Sequence, residues 1–277
     1  MIISGTKVAE RIFAEAKDIA VGLPVRPGLG VVLVGDDPAS RLYVGIKEHR
    51  ADGLGFMFRK EALLSTATEE EIIRVIRELD ADERIHGIIV QLPLPVGIDT
   101  DRVIAAIAPE KDADGFHPET VGKFLSGDRE SIPVFPGAIM ELAKASGSDL
   151  SGKKGLAVVN SDLFGDIMRK SFEYEGMRPT VVRSTETDSY PDEISGADVI
   201  ITAVGRPALF ARDTFKPGAI VIDGGISEKE GKVCGDVSPE GDDADIFLSP
   251  VPGGVGPVTV ACLLRRTAKL AAGKRCA

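Results

Sequence analysis

From its first residues onward the chain alternates short apolar runs with stretches of helical spacing. GLGVVLVG (28–35) is a β-rich run bounded by glycines and predicts a buried strand. SRLYVGIKEHRADGLG (40–55) spaces its apolar residues as a helix does, with Ser40 suited to the N-cap and Gly53 or Gly55 to the end. STATEEEIIRVIRELDAD (65–82) opens on capping residues and puts acidic side chains in the first turn, where the helix dipole favours them. HGIIVQLPLP (86–95) predicts a second buried strand, stopped by prolines that lack a ladder donor. Strand, helix and strand in this rhythm imply βαβ units and a mostly parallel sheet.

The pattern restarts after SIPVFPGAIMELAKASG (131–147), where proline and glycine bracket the start of a helix. GLAVVN (155–160), RPTVVRS (178–184), ADVIITAVG (197–205) and GAIVIDGG (218–225) are four further strand candidates with short connections, a Rossmann-like half. The last apolar-faced helix spans GPVTVACLLRRTAKLAAGK (256–274). The fold class expected is α/β with two domains: residues 1–135 plus 257–277 form an N-terminal α/β domain, and 136–256 a Rossmann-like one.

Composition narrows the function. With 277 residues, 43% of them hydrophobic, the chain can bury the core of one large or two ordinary domains. A net charge of -10 disfavours nucleic acid and anionic membranes as partners. No apolar run approaches a bilayer span, and MIISGTKVAERIF is too polar for a signal peptide, so a soluble cytoplasmic protein is expected. Cys234, Cys262 and Cys276 have no metal-ligand spacing and read as small hydrophobes or incidental thiols. His49, His86 and His117 are too dispersed for a zinc site, and no metal is expected.

Four places carry candidate chemistry. Tyr43 and Lys47 are one helical turn apart, just beyond a strand's C-terminal end, where open α/β sheets bind ligands. An ordinary solvated lysine beside a half-buried tyrosine is the plainer reading; among apolar neighbours the lysine would be a base or electrostatic catalyst. Gln91 ends a strand before PLP and either satisfies loop backbone or points out of the same sheet edge. In PEKDADGFHP (109–118), Asp112 and Asp114 are turn formers or, alternatively, a carboxylate that holds a heterocycle's N–H groups. SPVPGGVGPVT (249–259) is a rigid crossover or a backbone wall facing a ligand.

The ordered set VGDDPASRLYVGIK, GIIVQLPLP, PEKDADGF, ADVIITAVGRP, GAIVIDGGI, GDV and SPVPGGVGPVT resembles the bifunctional methylenetetrahydrofolate dehydrogenase/methenyltetrahydrofolate cyclohydrolase family nearly end to end. The resemblance implies a folate cleft between the two domains, a final helix that returns to the first domain, and a homodimer. It makes Lys47 the catalytic lysine, Gln91 its partner, Tyr43 the residue stacked near the pterin and Asp114 the pterin anchor. Pro252, Gly253 and Gly254 would line the folate substrate.

On the dinucleotide side, VNSDLFGDI (159–167) is similar to the family's phosphate turn G-R-S-x-x-V-G-x-P. Val159 stands for the first glycine, Asn160 for the arginine and Ile167 for the proline, while Ser161 and Gly165 remain. Phe135 replaces a threonine, and Arg183–Ser184 replaces a typical His–Ser. Losing the arginine removes a bidentate phosphate partner, which Arg183 could partly replace. No acidic residue ends that strand, which leans toward NADP, with Glu186 near enough to keep NAD open. Asn160, Ser161, Gly165, Arg183 and Ser184 would then hold the phosphates, and Ala203, Val204, Gly205 and Ile226 would border the nicotinamide. The expected activity is oxidation of methylenetetrahydrofolate with NADP followed by hydrolysis to 10-formyltetrahydrofolate. A cyclohydrolase-biased enzyme with weak dinucleotide use and a non-catalytic folate binder are the alternatives.

Overall fold

The computed structural model describes residues 1–229, 231–239 and 245–273; Cys276 and Lys274 lie outside them. Contacts divide the chain into one unit of Arg11–Val134 with Val260–Ala277 and another of Met1–Glu10 with Phe135–Thr259.

The first unit is built on a parallel three-stranded sheet, order β2-β1-β3. Its central strand β1 (Gly28–Val34) is buried at all seven positions, as its unbroken apolar run requires. Strand β3 (Gly87–Val90) is also wholly buried. Helix α1 (Gly5–Val21) precedes β1, α2 (Pro38–Gly53) follows it, and α3 (Glu69–Ala81) leads into β3. Helix α3 starts with a full capping box between Thr68 and Glu71. Its Ile72, Val75, Ile76 and Leu79 pack with Val32, Ile88 and Val90. Short helices α4 (Thr100–Ile104) and α5 (Pro118–Ser126) complete the unit's chain order before α6.

Two local expectations change. Asp37, not Ser40, caps α2: its carboxylate accepts from the Ser40 N–H at 2.7 Å, so Ser40 lies inside the first turn. Strand β2 (Met57–Leu63) was hidden in the sequence by Arg59, Lys60 and Glu61. Such a run suits an edge strand, where side chains reach water; Arg59 pairs with Glu61 at 2.7 Å and Asp82 at 3.0 Å.

In the second unit α6 (Val134–Lys144) leads into a parallel five-stranded sheet, order β10-β7-β6-β4-β5. The strands are β4 (Lys154–Val159), β5 (Arg178–Arg183), β6 (Val199–Ala203), β7 (Ile220–Asp223) and β10 (Phe247–Ser249). The fifth, β10, is three residues long and carries too little pattern to be read from sequence. Helices α7 (Asp162–Tyr174) and α8 (Pro191–Gly196) make the crossovers, and β8 (Ser227–Lys229) pairs with β9 (Lys232–Cys234) as a hairpin. Ile2 bridges to Leu248 of β10, which is why the first residues group with this unit. Helix α9 (Val255–Ala271) runs from one unit's residues into the other's. Its later turns join the first unit, where Arg265 meets Glu15 at 2.6 Å and Lys269 meets Glu130 at 2.8 Å.

Close packing at β1 makes a sharp test. A Cβ on Gly28 would lie 1.9 Å from the Arg84 carbonyl oxygen, a backbone atom with little freedom to yield. Gly28→Ala is expected to cost about 1–3 kcal/mol or more in urea unfolding, as overpacking does.

Candidate active site

Three of the sequence-selected groups meet beyond the C-terminal ends of β1 and β3. Lys47 lies on α2, one turn after Tyr43, and its Nζ donates to Gln91 Oε1 at 2.8 Å. Gln91 extends the sheet ladder by donating its backbone N–H to Val32 O at 2.8 Å. Its Nε2 donates to Leu92 O at 2.7 Å. A carbonyl only accepts, so this second bond turns the amide oxygen toward Lys47.

Neighbouring protein atoms deprive the Lys47 amine of water and lower its pKa, and the charge of Asp114 opposes that shift. Asp114 is the mirror case: burial raises its pKa, Lys47 pulls it back, Asp112 adds to the rise and Arg266 counters it. Lysine and aspartate therefore form an electrostatic pair in which each moderates the cost of the other's charge. Burial also raises the pKa of Tyr43.

The two aspartates of KDADG divide their roles. Asp112 is 1% exposed, and its carboxylate accepts from the N–H groups of Gly115 at 2.8 Å and His117 at 2.9 Å. It is the turn former. The turn is docked on β3 by the Ala113 N–H to Ile88 O bond, 3.2 Å. Asp114 is only partly buried, and its backbone oxygen accepts from Val134 N–H at 2.9 Å. Gly115 has φ 82°, and a Cβ there would lie 2.8 Å from Pro133 Cα.

Sequence reasoning missed Arg266. It is 8% exposed on α9 and donates from Nε to Asp112 O at 3.1 Å and from Nη1 to Ile132 O at 2.9 Å. It fastens both sides of the Asp114 loop while adding positive charge beside it. In the pair Arg265–Arg266 only the helical phase separates the surface ion pair from the buried clamp, and no local signal marks which is which.

The second unit places the dinucleotide candidates at the ends of β4, β5, β6 and β7. Val159 is fully buried and in register with Arg183 and Ala203, a core residue at the position of the missing glycine. Ser161 caps α7 by accepting from Phe164 N–H at 3.2 Å. A Cβ on Gly165 would lie 2.8 Å from Val181 Cγ1, so this glycine lets α7 approach the sheet. Asn160 donates to Val204 O at 2.8 Å and accepts from the Ser184 hydroxyl at 2.7 Å. That amide ties together the ends of β4, β5 and β6. Arg183 Nη1 stands 3.2 Å from Asp162 Oδ1, yet this buried nitrogen has no hydrogen-bond partner. Its ion-pair partner Asp162 is almost fully solvent-exposed, so this cation beside the helix N-terminus is held only by a weak surface contact.

Phe135 packs on Phe164 with ring centroids 5.7 Å apart, and a Cβ on Gly224 would touch its Cζ at 3.1 Å. Gly205 has φ 71°, and a Cβ there would meet Ile226 O at 3.3 Å, so these two candidate segments adjoin. Ile226 is 48% exposed. Further on, Gly253 has φ 100°, the Val251–Pro252 peptide is cis, and a Cβ on Gly254 would lie 2.5 Å from Pro250 O. Close packing excludes a side chain at Gly254, and the backbone conformation favours glycine at Gly253.

Residues 3–114 match the family model for the tetrahydrofolate dehydrogenase/cyclohydrolase catalytic domain, and residues 133–275 match that for its NAD(P)-binding domain. The chain belongs to this family. It is 41% identical over 276 residues to the bifunctional protein FolD of Bacillus anthracis, covering 98% of this chain and 96% of that one. The FolD of Acetivibrio thermocellus is 40% identical over 268 residues, covering 96% and 93%. Among solved structures, the Campylobacter jejuni methylenetetrahydrofolate dehydrogenase/cyclohydrolase superposes with a TM-score of 0.92 at 35% identity, covering 99% of both chains. The Trypanosoma brucei enzyme, complexed with NADP cofactor and an inhibitor, gives 0.91 at 32%, covering 99% of this chain and 97% of its own.

Family membership makes the Asp114 loop worth testing. Removing the buried Arg266 leaves two carbonyls without their donors. Arg266→Ala should lower unfolding free energy by about 2–4 kcal/mol in denaturant titration, given the strength of hydrogen bonds from a charged group.

Proposed function

We propose that this chain carries both activities of its family. It oxidises 5,10-methylenetetrahydrofolate to the methenyl form with NADP, then hydrolyses that product to 10-formyltetrahydrofolate. The observation that carries the reading is the Lys47–Gln91 hydrogen bond at 2.8 Å, with Asp114 electrostatically coupled to the same amine.

In the hydrolytic step a water oxygen bonds to the electrophilic methenyl carbon. The resulting hydroxyl then gives up its proton to become the formyl carbonyl as the carbon–N5 bond breaks, and the departing N5 keeps that electron pair and takes up a proton. Lys47 takes the proton from that water. A neutral amine that donates one N–H to Gln91 keeps its lone pair directed elsewhere, which is what a base needs. Lowering of its pKa by burial increases the neutral fraction near neutrality. Gln91 aims the amine, Asp114 anchors the pterin by accepting its N–H groups, and Tyr43 covers the ring. Pro252, Gly253 and Gly254 supply backbone at the substrate's edge.

NADP, when bound, accepts the hydride of the first step. Residues here fit it: Arg183, paired only with the exposed Asp162 carboxylate and making no hydrogen bond from Nη1, can exchange that partner for a phosphate, and Ser161 and Gly165 shape the turn and helix start. Asn160 acts at this site through Ser184 and Val204, and the backbone of Ala203, Val204, Gly205 and Ile226 borders the nicotinamide. NAD lacks the extra phosphate and would offer Arg183 less negative charge to bind. The family resemblance is also what supports a cytoplasmic homodimer; among the described residues no helix is long and apolar enough to cross a membrane.

Purified protein with methylenetetrahydrofolate should reduce NADP faster than NAD and show the methenyl absorbance form and decay. Absence of reduction with either cofactor would refute the dehydrogenase assignment. Lys47→Ala should lower cyclohydrolase kcat by about 100-fold or more, the scale of general base catalysis, while the protein still binds folate. Unchanged turnover would reject Lys47 as the base.

The pH profile gives an independent check. Catalysed hydrolysis should rise with pH through a midpoint below the ordinary lysine value of about 10.4. Asp114 stabilises the ammonium, so Asp114→Asn removes that support and should move the kcat midpoint lower still. A midpoint moving upward would overturn the assignment.

A further inference from the structure

The motif GDV (235–237) follows directly on strand β9. Among the described residues of the Phe135–Thr259 segment, its aspartate is one of two buried carboxylates, Asp223 at 2% and Asp236 at 0% exposure. Asp223 ends β7, and its carboxylate accepts from the N–H groups of Gly225 at 3.0 Å, Asp236 at 3.1 Å and Val237 at 2.9 Å. Its own backbone N–H donates to Ser249 Oγ at 3.0 Å. Asp236 accepts from the Thr202 hydroxyl at 2.6 Å and from the N–H groups of Val204 and Arg206, each at 2.8 Å.

The glycines around them show that the fit is mutual. A Cβ on Gly225 would lie 2.2 Å from Asp236 Cγ, and one on Gly235 would lie 2.0 Å from Asp223 Oδ2. IDGG and GDV are thus interlocked, each with a carboxylate seated where the other has only hydrogen. Burial lifts the Asp223 pKa to about 6; the Val237, Asp236 and Gly225 N–H groups oppose the rise, and the charge of Asp236 adds to it.

Asp236 grips the chain as it leaves β6, at the segment 203–206. Backbone bonds continue the grip, from Ala208 N–H to Gly235 O at 3.1 Å and from Phe210 N–H to Asp236 O at 2.9 Å. Arg206, its N–H held by Asp236, reaches with Nη1 to Ser184 O at 3.1 Å, next to Arg183. We infer that Asp236, braced by Asp223, is a positioning residue of the dinucleotide site, fixing the turn 203–206 against which NADP lies. The inference rests on the reading above that Ala203, Val204 and Gly205 border the nicotinamide. A carboxylate suits the task because its two oxygens accept from three donors without presenting an N–H of their own. An asparagine would turn its NH2 against one of them.

Asp236→Asn is expected to raise the NADP KM about tenfold or more, the scale of one buried donor left unmatched, with kcat at saturating NADP within about threefold. Cyclohydrolase kcat, which uses no dinucleotide, should stay at the wild-type value. Thr202→Val removes one donor and keeps the carboxylate; its NADP KM should rise about threefold, and it decides the matter if Asp236→Asn does not fold. Gly205→Val places a branched residue at positive φ in the turn itself and should abolish NADP binding.

An unchanged NADP KM in both Asp236→Asn and Thr202→Val, with binding lost in Gly205→Val, would overturn the role of Asp236 and leave the turn in the site. Unchanged NADP binding in all three would remove the turn from the site, and both readings would fall. A parallel loss of kcat and cyclohydrolase activity in Thr202→Val would mark a general structural role and overturn the inference.

Discussion

A lysine amine held short of water, close enough to a carboxylate to bear charge and to an amide to be aimed, is the constraint that organises the Arg11–Val134 unit. Either charge alone would be costly in that setting; together each lowers the cost of the other. The surrounding structure serves that balance. Strand β3 delivers Gln91 by its ladder bond to Val32, α2 delivers Lys47, and the Asp112 turn with Arg266 delivers Asp114. Gln91 is fixed from both sides, because Leu92 O takes its N–H and leaves only oxygen for the lysine.

The Phe135–Thr259 unit solves a different problem. Its phosphate turn lacks the expected glycine and arginine, yet the replacements fit the fold. Val159 fills the core, where its Cγ2 lies 3.4 Å from the Cβ position of Gly165. Asn160 spends its amide on joining three strand ends, and a cation, Arg183, stands at the end of the neighbouring strand. In the function proposed above, a substitution that looks like depletion when read one residue at a time becomes a transfer of roles between neighbouring strands.

How much of this was legible follows from the range of each interaction. The buried strands β1, β3, β4 and β7 announce themselves by unbroken apolar runs, and Thr68 and Glu71 spell out a capping box. Strand β2 does not, since three consecutive charges erase its pattern at the sheet edge, and Asp37 outcompetes Ser40 because its carboxylate reaches one turn ahead. Tyr43, Lys47, Gln91 and Asp114 could be picked out by motif. Which aspartate of KDADG shapes the turn could not, because that depends on the N–H groups of Gly115 and His117. Arg266 was invisible for the same reason: its partners are backbone oxygens at positions 112 and 132, distant in sequence and unmarked by side-chain type.

The two units also differ in how they stabilise buried negative charge. Asp114 is balanced by cations, Lys47 first and Arg266 in support, and a balance of charges responds to protonation and to an incoming heterocycle. Asp236 is held by a hydroxyl and backbone N–H groups, which have no titration of their own in the working range and cannot leave. Fixed dipoles make a rigid mount; titrating partners make a poised one. In the proposed function, the first suits a turn that keeps one shape while cofactor enters and departs, and the second suits a base that takes up and releases a proton in each cycle.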